Sequence, residues 1–196
     1  MVKKINTAIL ISNRGSNMQA LIKASQNQDY PAQIVLVISN NPDALGLKFA
    51  QDHGIKTLVI DHKKFASRIE FDYQLDNALQ NHQVEVVCLA GFMRILSPYL
   101  VNKWQEKMIN IHPSLLPNFK GANAVLDALN AKAKITGCST HFVSEEVDCG
   151  KIIMQAQVSI LPEDNLASLS AKILIQEHLI YPQSLKIVCE NLLKKI

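Results

Sequence analysis

Two largely apolar runs, at residues 34–38 and 84–90, constrain the fold more than any other feature of the sequence. Neither run shows the regular alternation of polar and apolar residues, and such runs are typical of central strands covered by helices on both faces. Segments with helical period lie between the apolar runs, so strand-like and helix-like stretches alternate from residue 7 to residue 90. This alternation predicts an α/β fold with a mostly parallel, twisted sheet and helices on both of its faces.

The apolar periodicity predicts strands at 7–12, 34–39, 57–60 and 84–90, and helices at 17–25, 43–53 and 71–81. A short helix ending at Trp104, a strand at 108–112 and a helix from about Ala122 continue the pattern. Two further strands, at 135–143 and 152–160, are close enough in sequence to pair antiparallel. The last segment, 168–193, predicts one long helix with a break or kink at Pro182.

Length and composition favour one domain, which we expect to span residues 1–196, with a substantial core and a hydrophobic content of 48%. The chain has 20 Lys and Arg residues against 17 Asp and Glu residues, and the resulting charge of +3 does not favour a nucleic-acid partner. The apolar stretch near the N-terminus is too short for a signal peptide or a membrane span. We therefore expect a cytoplasmic location and no membrane contact.

The four cysteines lack the spacing of a metal site, because they form no C-x-x-C pair and no matching histidine pattern. Reduced thiols are the expectation for such cysteines in the cytoplasm. The sequence therefore predicts no metal ion. The four are Cys88, Cys138, Cys149 and Cys189.

The turn after the first strand, at residues 12–17, opens a predicted helix whose first N–H groups lack partners within the helix. Such a helix end attracts phosphate. The turn contains only Gly15 where a dinucleotide loop needs three glycines, and it lacks the lysine of a Walker loop. Two interpretations stay open: a ligand site, or a turn in which Ser16 or Asn17 simply caps the helix.

Asn110 and His112 lie two residues apart on a predicted strand, so their side chains project to one face while Ile109 and Ile111 face the core. Pro113 favours an extended conformation at His112. The carboxyl end of a strand is where open α/β sheets form their ligand crevice. A histidine at that position is also compatible with a surface residue or a hydrogen-bonded core residue.

The acidic turn at residues 145–150 supplies three carboxylates and is compatible with a solvated hairpin turn. It is also compatible with a functional role, because a carboxylate beside an imidazole favours the protonated ring. No G-x-S-x-G nucleophile motif is present and Cys149 has no evident base, so the sequence does not support covalent catalysis.

Four motifs resemble those of the phosphoribosylglycinamide formyltransferase family of folate-dependent enzymes. They are AGFMRILS at 90–97, NIHPSLLPNFKG at 110–121, TGCSTHFV at 136–143 and VDCG at 147–150. The resemblance extends over nearly the whole chain, including residues 12–17, 67–68, 176–178 and 181–182. It implies a Rossmann-like formyltransferase fold with an antiparallel C-terminal strand pair. The N-terminal half would bind the ribonucleotide, and the C-terminal half would bind folate and carry the catalytic residues.

The activity that the resemblance implies is formyl transfer from 10-formyltetrahydrofolate to the primary amine of glycinamide ribonucleotide in de novo purine biosynthesis. Both substrates are small molecules, no metal is needed, and the protein would be a monomer or a homodimer. Relatives with the same core motif formylate an initiator tRNA or a nucleotide sugar, and others hydrolyse formyl folate. A non-catalytic binding module is a further alternative.

The resemblance assigns catalysis to Asn110, His112 and Asp148, with Asp148 orienting His112 and keeping it protonated. It implies that the backbone of Gly15, Ser16 and Asn17 holds the substrate phosphate. The other implied site residues are Ser139 and His141, in the catalytic site, and Glu177, near the acceptor. The implied folate-binding residues are Arg68, Met93, Arg94, Ile95, Leu96, Asn110, Ser144, Glu145, Glu146 and Val147.

Two positions depart from the family pattern. Asn13 stands where many relatives have a glycine in the phosphate loop, and asparagine tolerates left-handed backbone better than most residues. Val125 stands where several relatives have a histidine, which puts acceptor contacts at that position in question.

Overall fold

The computed structural model describes residues 3–195, and within them seven strands and six α-helices alternate along most of the chain. The strands are β1 (Ile5–Ile11), β2 (Ala32–Ser39), β3 (Lys56–Val59), β4 (Val86–Leu89), β5 (Met108–His112), β6 (Ile135–Phe142) and β7 (Ile152–Ser159). The helices are α1 (Ser16–Ser25), α2 (Gly46–Asp52), α3 (Arg68–Asn81), α4 (Pro98–Lys103), α5 (Ala124–Asn130) and α6 (Leu166–Leu193).

All seven strands form one sheet in the order β3-β2-β1-β4-β5-β6-β7. The five strands from β3 to β5 are parallel, whereas β6 runs antiparallel to both β5 and β7. The predicted α/β fold with an antiparallel C-terminal pair is therefore confirmed. The sequence did not indicate that β6 would also pair with β5, which places His141 opposite Asn110 and Ser139 opposite His112.

The two faces of the sheet carry separate apolar cores, because successive residues of a strand point to opposite sides. Ile9 of β1 belongs to the core beneath α1 and α6, and its neighbour Leu10 belongs to the core beneath α3 and α4. Both side chains are fully buried. The central strands therefore need apolar residues at every position, as the runs in the sequence predict.

Several helix boundaries differ from the prediction. Helix α3 begins three residues before the predicted start because the Ser67 hydroxyl accepts a hydrogen bond from the Glu70 N–H and caps the helix. Helix α2 begins at Gly46, after a turn that the periodicity had included in the helix. Helix α6 is capped by Asn165 and continues through Pro182 without the break that the sequence allowed.

The ligand crevice of an open α/β sheet lies at the carboxyl ends of two strands whose connections leave in opposite directions. In this sheet β1 has β2 on one side and β4 on the other, so the crevice lies beyond β1 and β4. Two hydrogen bonds join the loops there: Ser12 N–H to the Gly91 carbonyl at 3.2 Å, and Met93 N–H to the Ser12 hydroxyl at 2.7 Å. The loops of the two halves of the sheet thus meet at Ser12.

Tyr181 ties the long helix α6 to the middle of the sheet. Its side chain is fully buried, and its hydroxyl lies 3.0 Å from the carbonyl oxygen of Leu89 and 3.1 Å from that of Ile109. One hydroxyl therefore donates toward the carbonyls of two neighbouring strands, β4 and β5. Both strands lead directly into loops at the crevice.

We expect Tyr181→Phe to lower the free energy of unfolding by about 1–3 kcal/mol, because it removes the donor that faces two buried carbonyl oxygens. Urea titration would measure the change. The matched control is Tyr73→Phe, which removes a hydroxyl from a side chain that is 46% exposed and should have little effect. Equal effects of the two substitutions would show that the Tyr181 hydroxyl does not stabilise the sheet.

Candidate active site

Asn110 and His112 lie at the carboxyl end of β5, on the floor of a cleft of about 510 Å³. Ile109 and Ile111, which alternate with them, belong to the apolar core as the strand periodicity predicts. His112 is 5% exposed, whereas Asn110 is only half-buried. The amide of Asn110 is thus accessible from the cleft beside a nearly enclosed imidazole.

Asp148 brings three segments of the chain together. Its Oδ2 atom lies 3.3 Å from Nδ1 of His112 and accepts a hydrogen bond of 2.8 Å from the Gly121 N–H. Its Oδ1 atom lies 3.6 Å from Nε2 of His141. The structure therefore places the 148 carboxylate beside the 112 ring, in the arrangement that the motifs suggested.

The surroundings of Asp148 favour its ionised form. Burial by itself would raise the pKa of the carboxyl group. The contact with His141, the Gly121 N–H and the charges of His112 and His141 outweigh burial, so the pKa lies below its usual value of 3.8. Asp148 is thus a carboxylate at neutral pH and can attract a proton on either imidazole.

Both nitrogens of the His112 ring face hydrogen-bond acceptors. Nε2 lies 2.8 Å from the carbonyl oxygen of Phe119, which can only accept, and Nδ1 faces the Asp148 carboxylate. Hydrogen on both nitrogens would satisfy both contacts at once. Each ring nitrogen therefore has an acceptor within 3.3 Å.

His141 connects Asn110 with Asp148. Its Nε2 atom lies 3.2 Å from the Asn110 amide nitrogen, and its Nδ1 atom donates to the Phe142 carbonyl at 2.9 Å.

Ser139 lies beneath the proline-rich loop and not in the cleft. Its fully buried hydroxyl donates to the Ser114 carbonyl at 2.6 Å and accepts from the Leu116 N–H at 3.0 Å. Ser139 thus holds the proline-rich loop and does not line the cleft.

The loop after β1 leaves the first turn of α1 open to a ligand. Gly15 precedes the helix with a left-handed backbone, φ 66°, and no side chain caps the helix. The interpretation that Ser16 or Asn17 caps α1 is therefore wrong. The Asn17 side chain instead donates a 2.7 Å hydrogen bond to Glu177 on α6. The structure brings Gly15, Ser16, Asn17 and Glu177 into one cluster.

Burial raises the pKa of Glu177, and the hydrogen bond from Asn17 partly opposes that effect. The Oδ1 atom of Asn17 is buried and has no hydrogen-bond partner among the described residues. This cluster therefore contains an unused acceptor beside a carboxyl group whose pKa is raised.

Gly46 lets α2 approach the loop after β1, a role that the sequence analysis missed. A Cβ atom at this position would lie 2.7 Å from Ile11 Cδ1 and 3.0 Å from the Arg14 carbonyl oxygen. The Gly46 N–H also donates to the Asn13 carbonyl at 3.0 Å. A glycine at the first residue of a helix was the only available signal, and that signal is weak.

The two residues that depart from the family pattern have ordinary structural surroundings. Asn13 is absent from the described residues with positive φ, so its backbone does not use the left-handed region. Val125 is partly buried on α5 and packs against the core beneath α1 and α6.

The predicted folate-binding residues divide into two groups. The larger group lines the cleft, and Met93 and Ile95 in it are 74% and 56% exposed. Arg68 and Glu146 do not line the cleft; Arg68 lies in the first turn of α3. The predicted residues that line the cleft are Met93, Arg94, Ile95, Leu96, Asn110, Ser144, Glu145 and Val147.

Gly150 allows the loop that carries Asp148 to return to the end of β6. A Cβ atom at Gly150 would lie 1.7 Å from the Phe142 carbonyl oxygen, so no other residue fits without movement of the backbone. Asp148 itself has φ 54°, an uncommon conformation for a residue with a side chain. The loop therefore holds its carboxylate in one place at the cost of local strain.

Within the described residues, no group of three or more His, Cys, Asp or Glu side chains is placed to hold a metal ion. The helices of this part of the chain include none that is long and apolar enough to cross a membrane.

Comparison with known proteins identifies the class. A sequence model of the formyl transferase family matches residues 5–185. The chain therefore belongs to the formyl transferase family. The phosphoribosylglycinamide formyltransferase of Haemophilus influenzae is 42% identical over 193 residues, which cover 98% of this chain and 90% of the relative.

Other relatives agree with that assignment. A human trifunctional purine biosynthetic protein, adenosine-3, is 48% identical over 189 residues, or 96% of this chain. The chain spans only 19% of that protein and 14% of the Chironomus tentans counterpart. The crystal structure of glycinamide ribonucleotide transformylase 1 from Symbiobacterium toebii has a TM-score of 0.94 at 38% identity, covering 97% of this chain and 90% of that one.

The lowered pKa of Asp148 predicts how Asp148→Asn changes acid stability. A group with a depressed pKa in the folded state stabilises that state above its unfolded pKa and loses this contribution as the pH falls through the folded value. We expect wild type to exceed the variant in unfolding free energy above pH 3.8, the usual value. The difference should shrink at lower pH. Urea titration across the acid range measures it, and a difference independent of pH would contradict the prediction.

Proposed function

We propose that this chain transfers the formyl group of 10-formyltetrahydrofolate to the primary amine of glycinamide ribonucleotide. The products are formylglycinamide ribonucleotide and tetrahydrofolate, and the reaction belongs to de novo purine biosynthesis. The observation that carries the proposal is the contact of 3.3 Å between His112 and Asp148, beside Asn110 on the floor of the cleft. The names of the relatives that match the chain over most of their length support this choice.

The difficult step in this reaction is the formation of an anionic oxygen. The neutral amine attacks the formyl carbon, the carbonyl oxygen becomes negatively charged, and the amine nitrogen becomes positively charged. Asn110 can donate an amide hydrogen to that oxygen, and a protonated His112 can add a positive charge beside it. A preorganised donor of this kind typically contributes about 10²–10³ in rate.

Proton transfer completes the reaction. The attacking nitrogen must lose a proton, and the departing folate nitrogen must gain one as the carbon–nitrogen bond breaks. The ionised Asp148 keeps a proton available on His112 and can accept one from the amine through water. The formyl carbon then stays on the new nitrogen, and tetrahydrofolate leaves.

The two substrates would enter from different sides of Ser12. We propose that the free backbone N–H groups of Gly15, Ser16 and Asn17 hold the phosphate of glycinamide ribonucleotide at the start of α1. Glu177 then lies beside the acceptor. The apolar side chains of Met93, Ile95 and Val147 would contact the folate rings, since all three are exposed on the cleft wall.

The remaining roles follow from the same assignment. We propose that residues 1–196 act as one formyltransferase domain, as a monomer or a homodimer, in the cytoplasm. Arg94, which lines the cleft, would bind an anionic or polar part of the folate. Arg68, Glu146 and Ser139 would act from outside the cleft by positioning the residues that line it.

A turnover assay tests the function directly. The purified protein is mixed with 10-formyltetrahydrofolate and glycinamide ribonucleotide, and formation of both products is followed. The expected result is one formylglycinamide ribonucleotide for each tetrahydrofolate released, with no release when the amine is omitted. Release without the amine would instead indicate a formyl folate hydrolase.

We expect Asp148→Asn to lower kcat by at least about 10²-fold and to change the Kd for tetrahydrofolate by less than about threefold. The substitution removes the charge that favours a proton on His112 but preserves the shape of the cleft. Steady-state kinetics and calorimetry provide the two values. The matched control is Asp29→Asn, an exposed position before β2, and it should leave both unchanged. Unaltered turnover by Asp148→Asn would refute the mechanism.

A further inference from the structure

Asp72 is a fully buried carboxylate that the proposed reaction does not use. It lies in the second turn of α3, and its side chain is 0% exposed. Placing a charge in the interior is unfavourable unless hydrogen bonds or opposite charges compensate for the lost water. The contacts of this carboxylate should therefore indicate why the position is not occupied by an apolar residue.

The contacts of Asp72 lead to the wall of the cleft. Its Oδ2 atom accepts a hydrogen bond of 2.5 Å from the N–H of Ser97, the residue just before α4. Its Oδ1 atom and the Ser97 hydroxyl are buried and have no hydrogen-bond partner among the described residues. Asp72 thus has a single strong bond, and that bond goes to the end of the 93–97 segment.

Two arginines act on the same carboxylate. Burial raises the pKa of Asp72, and the opposing effects of Ser97 and of the charges of Arg68 and Arg94 do not cancel that rise. Arg68 lies one turn earlier on α3, and Arg94 lines the cleft. The arginine charges therefore act on Asp72 from a distance, and its direct contact is with Ser97.

The 93–97 segment has no helix or strand hydrogen bonds of its own, so its position depends on anchors at its ends. At one end the Met93 N–H donates to the Ser12 hydroxyl at 2.7 Å. At the other end the Ser97 N–H donates to Asp72. Between these anchors Met93 and Ile95 expose 74% and 56% of their surface to the cleft side.

We propose that Asp72 is a positioning residue for the formyl donor: it fixes the end of the cleft wall at Ser97. This inference rests on the proposed function, because it takes the occupant of the cleft to be a formyl folate. Asp72 does not touch the donor. It acts through Ser97, the residue that it holds at the end of the wall, and so it affects donor binding and leaves the acceptor side unchanged.

The test compares Asp72→Ala and Asp72→Asn with wild type. The alanine variant loses both the acceptor and the charge, and we expect its KM for 10-formyltetrahydrofolate to rise about tenfold or more. The asparagine variant keeps an oxygen that can accept from Ser97 and should fall between alanine and wild type. The KM for glycinamide ribonucleotide and kcat should stay within about twofold of wild type in both.

Asp76→Asn is the matched control, since it neutralises another buried carboxylate one turn later on the same helix. Asp76 accepts bonds from Tyr99, Lys103 and Trp104 on α4 and just after it, and does not contact the cleft wall. The control should lower the unfolding temperature and leave all three kinetic constants unchanged. The proposal is overturned if Asp72→Ala leaves the KM for 10-formyltetrahydrofolate unchanged, as Asp76→Asn should, or if kcat and both KM values change together.

Calorimetric titration with tetrahydrofolate separates this inference from the proposed function. A wild type that neither binds tetrahydrofolate nor turns over overturns both. A wild type that binds and turns over, with Asp72 variants that bind tetrahydrofolate equally well, overturns only the role of Asp72. Weaker binding by the alanine variant, with intermediate binding by the asparagine variant, supports the role.

Discussion

The contacts of one carboxylate organise the candidate site. Asp148 holds the Gly121 N–H, the His112 ring and the His141 ring, which come from a loop, from β5 and from β6. Asn110 and His112 share β5, and Asp148 joins that strand to β6 and to the loop at Gly121. Removing the charge at 148 takes away the electrostatic attraction that these contacts share. The proposed chemistry therefore depends on electrostatics inside a site that excludes most water.

Most of the fold could be predicted from the sequence because each strand and helix depends mainly on residues that are close together in the sequence. The uninterrupted apolar run at 34–38 indicates a strand buried on both faces, and the two-residue spacing of Asn110 and His112 places them on one face. The start of α3 could also have been predicted, because Ser67 and Glu70 have the spacing of a helix cap. The prediction began at Phe71 instead, because the apolar period begins there. Pro182 shows the opposite case, because the helix continues through a residue that usually ends one.

The parts of the site that could not be predicted depend on contacts between distant segments. Nothing in the sequence indicates that β6 lies beside β5, yet this pairing brings His141 next to Asn110. The left-handed backbone of Asp148 is uncommon for a residue with a side chain, although aspartate adopts it more readily than most. Asp72 lies on the face of α3 that also carries Leu75 and Leu79, so the helical period could have indicated its burial but not its contact with Ser97. The motifs identified Asn110, His112 and Asp148 as site residues, and the structure shows how their side chains are arranged.

The hydroxyl of Tyr181 has a consequence for the spacing between the two halves of the site. Glu177 and Tyr181 are one turn apart on α6, so the helix that carries the carboxyl group beside Asn17 is also fastened to the carbonyls of β4 and β5. A rigid helix cannot slide along the sheet while both attachments last. The way Tyr181 fastens α6 to the sheet therefore sets the separation between the cluster at the start of α1 and the end of β5.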